Sequence, residues 1–582
     1  MKKCPQCGRE YDLSMSFCLD DGAELLYGPR SQPPASAGGQ FDEPQTAILH
    51  TTDAVGEAPT IAQIHTTEKT AVLPSGIVKA PKSKMFDKRM LFGALALAVI
   101  VLAGFFGYKY LASTKQINSI AVMPFENKNS DADTDYLSDG LAESLIFRLT
   151  QILDLRVSPT SSVMRYKGKE TDIAKIASEL GVDAVMTGRL TKWGDNLNIT
   201  VELVDARTNK SLWGEQYERK LSELLTTQRE IVAEIVGKLQ LKLSGESEQK
   251  LAKKYTDNDE AYQLYLQGRF HWNKRNIPEF QKAVVFFKQA IEKDPNYALA
   301  YSGLADTYSQ FPTYGDFRPK DYFPQGKQAA LKALELDPNL AEAHTSLAQI
   351  IIHFDYDFAG AERSYKRAIE LDPNYPTAHQ WYAELLSWSG RDDESIREIT
   401  KAIELDPFSI AINISICSQL QRAGRFDEAL LQNKKFNELF PGEAGFHRRN
   451  GNIYADQGKY DQAVEEYLLE ARAKNFKPEN TTRLKEAYEK GGWDGYERMR
   501  QELRLEELNA KHAKDPNGYV RAIDFAFAYA WGKDKDNTIE YLNKGYDERE
   551  RQLLLLKVNK TWDFVRDDPR FKELVRRVGI PE

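Results

Sequence analysis

The sequence predicts a multidomain chain: a small metal-organised N-terminal segment, one transmembrane helix, an α/β domain in the order βαβαβββα, and an all-α solenoid. Three observations predict it. Residues 90–111, MLFGALALAVIVLAGFFGYKYL, carry no charge from Leu91 to Tyr108. Wound as a helix rising about 1.5 Å per residue, they cross a hydrocarbon layer about 30 Å thick. Beyond them, apolar residues change from strand to helix spacing several times within residues 117–244. From there on one phrase returns as AIEKDPN, ALELDPN, AIELDPN and AIELDPF, with prolines at 295, 338, 373, 407 and 441.

The composition narrows the function classes. With 582 residues the chain has room for several domains, and its formal net charge is −8. It has no broad basic surface, which speaks against nucleic acid as the partner of the bulk. Four cysteines are too few for a disulfide scaffold. Cys4, Cys7 and Cys18 crowd the N-terminus, while Cys417 stands alone.

Residues 1–27 contain Cys4-Pro-Gln-Cys7-Gly8, two thiols on a tight turn. A second turn repeats the spacing, with Cys18 and Asp21 three apart. Tetrahedral zinc takes four ligands and accepts a carboxylate oxygen. Cys4, Cys7, Cys18 and Asp21 are the expected ligands of a structural Zn²⁺, with Asp20 or water as alternatives in the fourth place. So short a segment cannot fold on apolar burial alone. It resembles the zinc ribbons at the N-termini of many bacterial membrane proteins, departing from their four-cysteine pattern at Asp21. Residues 28–89 are rich in Pro, Gly, Ala, Ser and Thr and read as a disordered linker. Within it Thr46-Ala-Ile-Leu49, Thr60-Ile-Ala-Gln63 and Thr70-Ala-Val-Leu73 recur, as plain linker composition or as threonine motifs open to phosphorylation.

Lys79, Lys82, Lys84, Lys88 and Arg89 flank the apolar run on its N-terminal side; Lys109 and Lys115 are the near cations on the other. The positive-inside bias then places the N-terminus in the cytoplasm and everything after residue 111 outside, in a single-pass bacterial inner membrane protein.

In residues 117–244, Ser119-Ile-Ala-Val-Met-Pro-Phe125 is a strand closed by proline, and residues 127–135 a polar loop. Leu137, Leu141, Leu145, Ile146 and Leu149 fall at helical spacing. A strand at 155–158 and a helix at 171–180 follow, the helix capped by Thr171 or Asp172 and ended by Gly181. Strands at 182–191 and 196–204 flank the hairpin signal Trp193-Gly-Asp195. A strand at 211–217 and a long helix at 221–243 close the unit. Asp139-Gly140 reads as a helix start. The stretches IAVMPFENKNSDADTDYLSDGLAESLIFRLTQI and GVDAVMTGRLTKWGDNLNITVELVDARTNKSLWGEQYER resemble the TolB N-terminal-like domain of CadC-type regulators. The resemblance implies an interaction or sensing module without catalytic residues.

The prolines recur at intervals of 43, 35, 34 and 34, and a period near 34 marks helix hairpins that stack. Gly268, Ala305, Ala383 and Cys417 fall where paired helices approach closely, so Cys417 reads as a small core residue. The longer first interval implies an inserted Pro- and aromatic-rich loop over residues 311–324. The pattern resembles tetratricopeptide repeats over residues 255–478, which implies a concave groove for proteins or peptides. Arg448 and Asn452, one turn apart, resemble part of a carboxylate clamp and are the candidate partner-binding pair. Residues 479–582 read as a further helical repeat and a polar cap, with Gly491-Gly492 marking a helix break.

The chain lacks HExxH, GxSxG, a Walker loop and the kinase motifs. The expectation is a non-enzymatic membrane scaffold or sensor binding proteins through its repeats. The alternative is a CadC-like transmembrane regulator whose ribbon contacts nucleic acid. Lys2, Lys3 and Arg9 are few bases for that, and no winged helix is present.

Overall fold

Leu137, Leu141, Leu145, Ile146 and Leu149, at helical spacing in the sequence, are all buried in one core. The computed structural model describes residues 2–3, 10–11, 26–27 and 116–581, apart from 130, 131, 170, 171, 444 and 475. Cys4, Cys7, Cys18, Asp21, the linker and the apolar run 90–111 lie outside the described residues. Among those described, no helix is long and apolar enough to cross a membrane. The chain divides into two units, Met1–Lys115 and Gln116–Glu582. In the first, strands β1 (Lys2–Lys3), β2 (Glu10–Tyr11) and β3 (Leu26–Tyr27) form a small antiparallel sheet in the order β2-β1-β3.

The second unit opens with the α/β domain. Strands β4 (Ser119–Val122), β6 (Arg156–Val157), β7 (Ala184–Trp193), β8 (Asn196–Asp205) and β9 (Lys210–Lys220) lie in the order β6-β4-β7-β8-β9. β4 runs parallel to β6 and β7; the pairs β7–β8 and β8–β9 are antiparallel. Leu197, Ile199, Val201 and Leu203 alternate into the core from β8. Helix α1 (Ala132–Thr150) covers the sheet with α3 (Ile173–Leu180) and α4 (Leu224–Lys238); α2 (Thr160–Met164) is a single turn. Asp172 caps α3 by accepting from the backbone of Ala174, and Gly181 ends it.

Three readings need correction here. The polar loop expected at 127–135 holds strand β5 (Glu126–Asn127), which pairs in parallel with Arg189–Leu190. α1 already begins at Ala132, so Asp139-Gly140 lies inside the helix rather than at its start. The closing helix stops at Lys238, because Gln240 turns into the left-handed region (φ 51°), and a separate helix α5 (Gly245–Ala252) follows.

The repeats pair helices along the chain: α6 (Asp259–Asn273) with α7 (Ile277–Lys293), α8 (Ala298–Tyr314) with α9 (Pro319–Leu336), and α10 (Ala341–Ile350) with α11 (Phe358–Leu371). They continue as α12 (Pro376–Trp388) with α13 (Asp392–Leu405), α14 (Ile410–Arg422) with α15 (Phe426–Leu439), and α16 (Phe446–Asp456) with α17 (Tyr460–Ala473). A single π turn, Ile351–Asp355, extends α10. The insertion is not a loop. It lengthens α8 and α9, which contain Pro312 and Pro324 within their helical spans. Phe311 stacks on Tyr322 with ring centroids 4.6 Å apart, and Phe280 and Phe317 pack on the same cluster. Aromatic burial outweighs the hydrogen bonds the prolines remove.

Then come α18 (Pro478–Lys514), α19 (Ala522–Trp531), α20 (Lys535–Asp547) and α21 (Pro569–Val578). Gly492 breaks α18 at φ 58° and ψ −151°, the break expected at the glycine pair. The tail does more than cap the stack. Asp316, in the turn after α8, pairs with Lys511 and Arg521, and Tyr356 donates to the Glu550 carbonyl at 3.0 Å. The end of the array thus touches its second and third hairpins.

Candidate functional site

Helix α1 carries two buried stripes. Leu137, Leu141, Leu145 and Leu149 face the sheet. Gly140, Glu143, Ser144, Phe147 and Arg148 recur on the other side and face the repeats, and Asp139 beside them pairs with Lys167 of the same domain at 2.6 Å. Gly140 permits the contact: a Cβ there would stand 2.9 Å from the Cβ of Leu266 on α6. The Tyr262 hydroxyl donates to Ser144 Oγ at 2.8 Å. Arg148 donates to the carbonyls of Leu251 and Lys253, the open C-terminal end of α5, at 2.7 and 2.9 Å.

The strongest polar anchor is Glu143. It accepts from Arg269 Nε at 2.7 Å and Nη2 at 2.5 Å, and from Asn273 Nδ2 at 2.7 Å. Asp306 stands 3.9 Å from the other arm of Arg269 and accepts from Ser346. Burial opposes the charge on Arg269, but Glu143, Tyr265 and Asp306 outweigh it and raise its pKa. Further along, Asp406 accepts from Ser161 and from Ser162, the latter at 2.6 Å. Arg165 lies 3.9 Å over the Phe408 ring, and Lys253 pairs with the buried Asp337 at 2.6 Å.

These contacts correct the expectation of an open groove. The inner face of the first repeats is occupied by the chain's own α/β domain. A cavity of about 1200 Å³ remains between them. Asp306, Glu342, Asp372 and Glu384 line it beside Tyr265, Tyr375 and Trp381, with Arg275 and Arg551 also in its wall. Burial raises Glu342 to about 8, with Asp372 and Asp306 adding to the effect, and raises Asp372 to about 6. Asp372 belongs to the AIELDPN phrase, which marked the repeat and not a site, and the others did not stand out in the sequence. The stripe of 140, 143, 144, 147 and 148 on α1 was the available signal.

Arg448 and Asn452 do not line this cavity. Arg448 is exposed, 3.9 Å from Glu470, and Asn452 Oδ1 accepts from the Tyr467 hydroxyl at 2.8 Å. The two side chains are engaged separately, on a hairpin the α/β domain leaves uncovered. Cys417 is buried as expected, and burial pushes its thiol up to about 11, far from a reactive thiolate. Among the described residues, no group of three or more His, Cys, Asp or Glu could hold a metal ion; the four expected zinc ligands lie outside them.

Comparison with known proteins agrees with both halves of this unit. Residues 115–234 match the second domain of HilA/YgeH-like transcriptional regulators, and residues 355–413 and 419–478 match tetratricopeptide repeats. The matched hairpins, within residues 355–478, are tetratricopeptide repeats. A protein of Rhizobium meliloti (strain 1021) provisionally named adenylate cyclase 3 is 30% identical over 231 residues, 40% of this chain and 39% of that protein. Transcriptional regulator HilA of Salmonella typhimurium is 23% identical over 242 residues, 41% of this chain and 42% of HilA. The chain thus spans about two fifths of the length of these relatives. Among solved structures, YrrB, a tetratricopeptide protein with an unusual peptide-binding site, is 21% identical over 33% of this chain and 92% of its own, with a TM-score of 0.25. The Thermus thermophilus repeat protein TTC0263 is 16% identical, over 34% of this chain and 99% of its own, with a TM-score of 0.29.

Proposed function

We propose that this protein is a non-enzymatic, membrane-anchored scaffold or sensor. The α/β domain and the repeats act as one recognition module outside the cytoplasm. A zinc ribbon and linker lie inside. The observation that carries the reading is the docking of α1 on α6 through Glu143, Arg269 and Asn273, which makes the two domains one body. A repeat array whose first hairpins are filled internally must meet a protein partner on what remains, and the sixth hairpin with Arg448 and Asn452 is the uncovered candidate. The anchor rests on the apolar run 90–111, and zinc on Cys4, Cys7, Cys18 and Asp21.

The HilA-like domain favours a second reading, a transmembrane regulator whose ribbon contacts nucleic acid. One experiment separates them. Residues 116–582 and residues 1–89 are purified, and each is used to capture partners from detergent-solubilised membranes and a DNA library. The scaffold reading expects protein capture by residues 116–582, and one zinc equivalent with no DNA on residues 1–89. Sequence-selective DNA capture by residues 1–89, lost on chelation, would replace it with the regulator. Protein capture by residues 1–89 alone would move recognition to the ribbon and linker.

A further inference from the structure

Among the described residues, two arginines of the cavity wall have neither a carboxylate at ion-pair distance nor the backbone carbonyls that Arg148 donates to. Arg275 follows α6 in the left-handed region, at φ 52°. Its guanidinium lies 3.6 Å over the Trp272 ring, and its side chain is open to the cavity. Arg551 enters from the other end of the chain, where its Nη1 donates to Thr313 Oγ1 at 3.4 Å. Tyr314, the last residue of α8, lines the same cavity. Arg269 offers a contrast, since it is matched by Glu143 and Asp306. Two buried polar atoms in the wall, Trp272 Nε1 and Ser302 Oγ, have no partner among the described residues. Burial lowers the pKa of both Arg275 and Arg551; Asp306 partly offsets this for Arg275 and Glu384 for Arg551, each from beyond ion-pair distance.

We propose that this cavity binds a small organic anion, whose carboxylate or phosphate oxygens lie between Arg275 and Arg551. A guanidinium presents a planar fork of donors suited to either oxyanion. The volume of about 1200 Å³ admits a metabolite and its water rather than a folded partner. Gln310, Gln349 and Gln380 in the same wall would meet hydroxyl or amide groups of its body. Arg275 belongs to the first hairpin and Arg551 to the tail. An anion between them would therefore staple the tail of the array to its beginning. This site is separate from the protein partner proposed above and stands or falls without it.

The test uses the full chain in detergent, with inorganic phosphate, succinate and choline as probes. Calorimetry and melting temperature are followed for the wild type, Arg275→Gln and Arg551→Gln. Phosphate or succinate should bind and raise the melting temperature, the better of the two showing whether phosphate or carboxylate is preferred. Each substitution should weaken that binding at least tenfold. Hydrogen exchange around residue 551 should slow in the wild type on binding. Arg275 is open to the cavity, so its variant keeps the test valid should Arg551→Gln fold poorly. Equal binding by wild type and Arg275→Gln, no binding of either anion, or binding of choline alone would overturn the proposal. Choline alone would assign recognition to the acidic wall of Glu342 and Asp372.

Discussion

The first and sixth hairpins are built on the same repeat and carry opposite inner surfaces. On the first, Arg269 is sunk between Glu143 and Asp306, and Tyr262 is bonded to Ser144 of another domain. On the sixth, Arg448 stands exposed, and Asn452 accepts from Tyr467 of its own hairpin. The difference shows that a repeat scaffold does not define a free groove by itself. What covers it is decided by a domain more than a hundred residues away in sequence.

The largest test of that contrast is Glu143→Ala. It leaves Arg269 buried with Asp306 as its remaining acid. Breaking a buried pair by removing one partner costs about 3–5 kcal/mol. The urea midpoint of the full chain should fall accordingly, and proteolysis between residues 239 and 258 should accelerate as the domains part. An unchanged midpoint would mean that the interface is held by Gly140, Leu266 and apolar packing alone.

A second test uses pH. Glu342 titrates in the folded protein at about 8, above its ordinary value of 4.5. The folded state therefore favours the protonated acid. Its contribution is fully present below about 4.5 and is lost as pH rises through about 8. Glu342→Gln stays neutral throughout, so its melting temperature should gain on the wild type between pH 5 and pH 8. Parallel pH profiles for the two proteins would show that water in the cavity solvates the carboxylate.

The smallest effects belong to the sixth hairpin. Arg448→Glu should change stability by no more than about 0.5 kcal/mol, as exposed substitutions do. Asn452→Ala should cost about 1 kcal/mol through the lost Tyr467 hydrogen bond. Together they should weaken capture of the protein partner while leaving the first hairpin interface intact. Full partner binding by the double variant would remove this hairpin from the recognition surface.

Much of the fold was legible because it rests on local pattern. Leu137, Leu141, Leu145 and Leu149 declared a helix. The alternation through Leu197, Ile199 and Val201 declared a strand, and the returning DPN and DPF phrases set the hairpin period. Cys417 was placed correctly because its repeat position demands a small side chain. The misreadings arose where tertiary contact overrode local preference. Residues 126–127 became a strand because β7 offered a free edge. Pro312 and Pro324 stayed in helices because an aromatic cluster held them there.

The sequence by itself determined the order of elements, the spacing of the hairpins and which faces are apolar, since each follows from periodicity within a few turns of chain. Only the tertiary structure decided that the second stripe of α1 fills the first hairpins, that Glu143 meets Arg269 across 126 residues, and that Arg551 returns to Thr313 across 238. Such pairings depend on how consecutive hairpins rotate relative to one another. That small rotation accumulates over the whole array, and no short stretch of sequence records its sum.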